Sequence, residues 1–109
     1  MQRVAFLQIV KPGAAAEYVR AHSPEHLWPE IVRATQDAGA RNYTGFIGGP
    51  DGRFVFGYFE TDDRDAMMRA LAADEVNSRW AARMIPLLET GGDLSSGGME
   101  FLTPIWRIE

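Results

Sequence analysis

Arg41-Asn42-Tyr43-Thr44-Gly45-Phe46-Ile47 and Arg53-Phe54-Val55-Phe56-Gly57-Tyr58-Phe59-Glu60 are two β-rich runs joined by Gly48-Gly49-Pro50-Asp51-Gly52. A linker made of turn-forming residues, set between aromatic and β-branched runs, predicts a β-hairpin. In the second run Phe54, Phe56 and Tyr58 alternate with Val55, Gly57 and Phe59, so both faces of the sheet are apolar. One face serves a core under helices. The other must meet water, a ligand or a partner.

Upstream of the hairpin, Val4 to Val10 is almost wholly apolar and reads as a strand, ended by Pro12-Gly13. Ala14 to His22 is rich in helix formers and places Tyr18 and His22 four apart on one helix face. Pro24 and Pro29 disfavour helix at the residues before them, which makes Ser23 to Trp28 a turn, and Pro29 suits the first position of a second helix running to Ala38. Gly39 is its stop. Downstream, Thr61 or Asp62 is expected to cap a helix through Ala72, and Asp74 another whose Val76, Trp80 and Met84 share a face. Residues 91–98 are rich in Gly and Ser and read as a flexible connector, before a last strand from Met99 to about Ile108. The order β-α-β-β-α-β predicts an α+β, ferredoxin-like fold with an antiparallel sheet and helices on one face. A dimer packing sheet on sheet, with a pocket in each subunit, would cover the second apolar face.

The 109 residues, 46% of them apolar, fit a single domain over 1–109, and self-association would relieve the apolar surface so small a domain leaves uncovered. A formal charge of −4, with 11 dispersed basic residues, argues against nucleic acid. The apolar run at the amino terminus is too short for a signal peptide core or a membrane span. With no cysteine there is no disulfide, thiol nucleophile or thiolate metal site, and the cytoplasm is the expected compartment.

Candidate functional residues are scattered: Tyr18, His22, Trp28-Pro29-Glu30, Asn42-Tyr43 and Arg79-Trp80. They combine one acid/base near neutrality with aromatic faces and amide donors, a mixture suited to an uncharged polyhydroxylated ring. On pattern alone several have structural readings of equal weight. Trp80 shares a stripe with core residues, Tyr43 suits a cross-strand aromatic pair, and Asn42 can pair with backbone; for Trp28, packing at the helix start comes ahead of pocket contact. Glu30 suits the positive end of a helix dipole. His26 reads as solvent-facing, and Pro24 breaks the helix that would align His22 with His26 on a metal, so no metal site is expected.

Taken together, in this order and spacing, these residues resemble the L-rhamnose mutarotase family across most of the chain. The resemblance implies a small dimeric α+β barrel type of ferredoxin-like protein, without metal or other cofactor, that interconverts the α and β anomers of L-rhamnose. It implies that His22 is the proton donor and that Tyr18, Tyr43 and Trp80 bind the sugar, with Asn42 and Trp28 as further candidate contacts. Two stretches depart from the family pattern. His22-Ser23-Pro24-Glu25-His26-Leu27-Trp28-Pro29-Glu30 is two residues longer than the usual His-to-Glu segment, and Trp80-Ala81 stands where a tandem tryptophan is usual. The first is expected to displace His22 or bring His26 near it, the second to enlarge that side of the pocket for L-rhamnose or a related 6-deoxy hexose.

The chemistry needs little apparatus. An acid protonates the ring oxygen, a base takes the anomeric hydroxyl proton, the carbonyl rotates and the ring recloses, and a histidine with an ordinary pKa of ~6.5 is available in either form for such work. Tyr18, with an ordinary phenol pKa of ~10, is a weak base, and the base is left open. Two other functions fit the same fold: a cofactor-independent monooxygenase, which would take an apolar aromatic substrate, and a non-catalytic sugar-binding domain, which would bind rhamnose without speeding anomer exchange.

Overall fold

The computed structural model describes residues 1–89 and 99–109; the connector expected over 91–98 lies outside the described residues. In chain order the elements are β1 (Gln2–Ile9), α1 (Ala15–Ala21), α2 (Pro29–Asp37), β2 (Arg41–Gly48), β3 (Phe54–Thr61), α3 (Arg64–Ala72), α4 (Glu75–Met84) and β4 (Glu100–Leu102). The strands form one sheet in the order β2-β3-β1-β4, each antiparallel to its neighbours. This is the ferredoxin-like arrangement, each helical crossover being split into two short helices. The expected hairpin is β2 and β3.

Alternation along the strands divides the two faces. Val4 and Phe6 of β1 and Phe59 of β3 are buried with Ala40 and with Met67 and Leu71 of α3, while Val10, Val55 and Leu88 form a second buried cluster against α1. The opposite face carries Phe46, Phe56 and Leu102, which are 62%, 41% and 38% exposed. So the helices cover one face and leave an apolar one open.

Local chemistry sets the helix ends. Trp28 is extended at φ −66°, ψ 124°, and Pro29, with its fixed φ and no N–H to lose, opens α2 behind it. That helix stops at Gly39, whose φ of +112° is costly for a side chain that carries a Cβ. Asp74 caps α4, accepting from the Val76 and Asn77 amides at 2.8 and 3.1 Å. The cap of α3 differs from expectation: Asp63 accepts from the Ala66 amide at 3.0 Å, rather than Thr61 or Asp62. Strand β3 stays paired through Thr61, opposite Gln2, and so delays the helix start.

The last strand is also shorter than Met99 to Ile108. Only Glu100–Leu102 pairs with β1, and the chain then leaves the ladder at Thr103-Pro104, where proline has no N–H to donate. Beyond it Ile105, Trp106 and Ile108 are 85%, 75% and 84% exposed.

Candidate functional site

Between the helices and the covered face of the sheet lies a cavity of about 1170 Å³, bordered by residues of β1, β2, α1 and α4 among others. Five of the residues singled out in the sequence, Tyr18, His22, Asn42, Tyr43 and Trp80, line it together. Tyr18 and His22 sit one helical turn apart, their ring centroids 4.4 Å from each other. Trp80 and His22 meet edge-to-face at 5.2 Å and 87°, and Trp28 meets Trp80 at 5.2 Å and 77°. Edge-to-face pairs of this kind contribute about 0.5–1.5 kcal/mol each beyond area burial, so the chain of rings holds the imidazole by packing.

One hydrogen bond fixes the chemistry of that imidazole. His22 Nδ1 lies 2.7 Å from the Tyr18 backbone oxygen. A carbonyl only accepts, so Nδ1 carries the hydrogen and Nε2 is the atom that gains and loses a proton. His22 is exposed at the end of α1 and lines the cavity, where a bound molecule can reach it.

The phenols are held neutral. Burial pushes Tyr18 up to about 12, and its hydroxyl donates to Gln8 Oε1 at 2.9 Å. Tyr43 stacks on Phe59 at 5.2 Å and 25° and meets the edge of Phe6 at 6.0 Å. Its residue surface is 45% accessible, but the accessible part faces a walled cavity where a phenolate is poorly solvated. Burial, then the nearby Tyr18 phenol, drives its ionisation well above that of an ordinary tyrosine. Neither phenol is a base near neutral pH; each keeps a hydroxyl that can donate and accept hydrogen bonds. Among the described residues that line the cavity there is no Asp or Glu, and the guanidinium of Arg41 is turned to the backbone oxygens of Gln36 and Ala40 at 2.8 and 2.7 Å. The interior therefore suits a neutral, hydroxylated guest.

Other expected contacts are placed differently. Trp28 is not among the lining residues and stands behind Trp80 as a brace. Asn42 borders the cavity, but its amide nitrogen donates to Glu60 Oε1 at 2.8 Å. His26 and Arg79 lie outside the lining, and the longer turn ties His26 to itself: Ser23 Oγ donates to the Arg20 oxygen at 2.7 Å and stands 2.9 Å from His26 Nδ1. No group of three metal-ligating side chains gathers among the described residues. Gln8 and the open floor at Gly45 went unread in the sequence. Gln8 had a signal, being the polar residue in the inward series Val4, Phe6, Gln8, Val10.

A family model described as L-rhamnose mutarotase matches residues 3–108. An L-rhamnose mutarotase of Tolumonas auensis is 35% identical over 108 residues, covering 99% of each chain. That of Bacillus subtilis is 35% identical over 95 residues, 87% of this chain and 88% of the relative. Among solved structures, an L-rhamnose mutarotase from Formosa agariphila superposes over 100% of both chains with a TM-score of 0.76 at 21% identity, a likeness of fold.

Proposed function

The chain belongs to the L-rhamnose mutarotase family, and from that premise we propose that it is an isomerase that interconverts the anomers of L-rhamnose, or of a related 6-deoxy hexose, in this cavity. The observation that carries the reading is the His22 ring. Its Nδ1 donates to the Tyr18 carbonyl, which leaves Nε2 as the proton-exchanging atom, with the Tyr18 phenol and the Trp80 indole beside the ring.

In the protonated form His22 gives its Nε2 proton to the ring oxygen as the bond from that oxygen to the anomeric carbon breaks. The anomeric hydroxyl proton leaves to water, since no carboxylate lines the described cavity and both phenols are held protonated. The open-chain aldehyde turns about its first carbon–carbon bond, and the same transfers in reverse reclose the ring and return the proton to Nε2. The hydroxyls of Tyr18 and Tyr43 hold sugar hydroxyls, and the Trp80 face covers C–H surface. Trp28 acts from behind Trp80. Proton transfers alone complete the cycle, so the chemistry calls for no cofactor. Positioned acid/base catalysis supplies about 10²–10⁴-fold, enough for a reaction that already runs in water.

We read residues 1–109 as one domain that works as a homodimer in the cytoplasm. The apolar open face with Phe46 and Phe56 supports sheet-on-sheet pairing, and the lack of cysteine suits a reducing compartment. Among the described residues no helix is long and apolar enough to cross a membrane. Anomer exchange of L-rhamnose, followed by saturation-transfer NMR with L-fucose and D-glucose as controls, tests the activity. Acceleration by the protein that falls to the buffer rate in His22→Ala is expected. Binding without acceleration would favour the sugar-binding module, and protection by an apolar aromatic alone the monooxygenase.

A further inference from the structure

Ala40 and Tyr43 face the same side of the sheet although they are three residues apart. Ala40 is 2% exposed in the core under the helices, and the Tyr43 ring lies against Phe6 and Phe59 of that same face. A regular strand has a period of two and would send one of them to the opposite face. The ladder shows how the parity is corrected. Arg41 is opposite Glu60 and Thr44 opposite Tyr58, so three steps on β2 are matched by two on β3. The extra residue is taken up at Asn42, whose φ is +52°, in the left-handed region that asparagine tolerates better than most side chains.

A side chain outside the cavity secures this bulge. Glu60 accepts from Asn42 Nδ2 at 2.8 Å through one oxygen and from the Tyr58 hydroxyl at 2.7 Å through the other. Neither Glu60 nor Tyr58 lines the cavity. We propose that Glu60 is a positioning residue: its carboxylate grips the Asn42 amide from behind the sheet and so holds the left-handed bulge that keeps Tyr43 in the cavity wall. The Tyr58 hydroxyl first, and the Asn42 amide second, hold the Glu60 carboxyl below the usual carboxylate range, so the grip is that of a charged acceptor. Its kinetic consequence rests on the reading of Tyr43 as a sugar contact; its structural consequence does not.

Glycine adopts the Asn42 conformation without help, which gives the test a rescue. Wild type, Glu60→Ala and Glu60→Ala with Asn42→Gly are compared with carbon-13-labelled tyrosine rings, the Tyr43 signal being assigned from Tyr43→Phe, and with the kinetics of rhamnose anomer exchange. Loss of Glu60 should shift the Tyr43 ring signal and raise KM about tenfold, with kcat changed by less than about twofold. Adding Asn42→Gly should return the ring signal toward wild type. A Tyr43 signal unmoved in Glu60→Ala would overturn the proposal, as would a shift of signal or a loss of folding that glycine does not repair. If wild type accelerates no sugar, the activity reading fails alone, and the ring signal still decides whether Glu60 positions Tyr43.

Discussion

Gly45 and Gly57 face each other directly across the β2–β3 ladder, yet a methyl group added to each should have opposite effects. A Cβ on Gly57 would overlap the Phe6 ring, which cannot swing away freely because its neighbours are the rings of Phe59 at 6.3 Å and Tyr43 at 6.0 Å. Overpacking of this kind costs about 1–3 kcal/mol, offset by about 0.4–1 kcal/mol from the lower entropy of the unfolded chain. The net destabilisation of Gly57→Ala is therefore up to about 2.6 kcal/mol, a fall in Tm of up to roughly 10 °C for a chain of this size. A Cβ on Gly45 meets no atom within 4 Å, because it would project into the cavity. Gly45→Ala keeps the entropic gain, with no clash to offset it, and should raise Tm by roughly 2–4 °C. Gly45→Leu should keep the fold and weaken rhamnose binding by occupying the floor. Thermal and urea unfolding of the two alanine variants, read together, give the check. Equal shifts, or a more stable Gly57→Ala, would refute the packing argument.

Three further outcomes follow from the geometry. Tyr18 binds its proton more tightly folded than unfolded, so its contribution is complete below about pH 10 and is lost as pH rises to about 12, at most about 3 kcal/mol; urea unfolding across that window should show a fall that Tyr18→Phe makes shallower, with Tyr43, also raised by burial, contributing to what remains. Asp74→Ala strips two amide partners from the start of α4 and should cost about 1 kcal/mol in the same assay, while Asn at this position should hold most of the stability. Phe56→Glu on the open face should turn the proposed homodimer into monomer by light scattering while leaving the cavity residues in place.

What could be read from the sequence was what short-range physics controls. The hairpin, the turn from Ser23 to Trp28, the α2 start at Pro29 and the Asp74 cap are each decided within a few residues by backbone sterics or a carboxylate beside free amides. So were the Tyr18–His22 pair, one turn apart, and the double apolar face of β3. The rest depended on distant partners. Arg41 to Ile47 looks like one regular strand until Ala40 must pack under helices and Thr44 must pair with Tyr58. The α3 cap moved to Asp63 because Gln2 keeps Thr61 in the sheet, and Trp28 could be placed behind Trp80 only once α4 had docked beside α2.

The alternation of β3 has a consequence for how this protein can change. Val55, Gly57 and Phe59 belong to the cavity and its core, while Phe54, Phe56 and Tyr58 belong to the outer apolar face. Adjacent codons therefore write to separate surfaces, and selection can reshape the cavity at odd positions without altering the outer face at even ones. Glu60 escapes that independence: it sits on the outer series and reaches through Asn42 to the inner wall, so drift there would be felt on both sides at once.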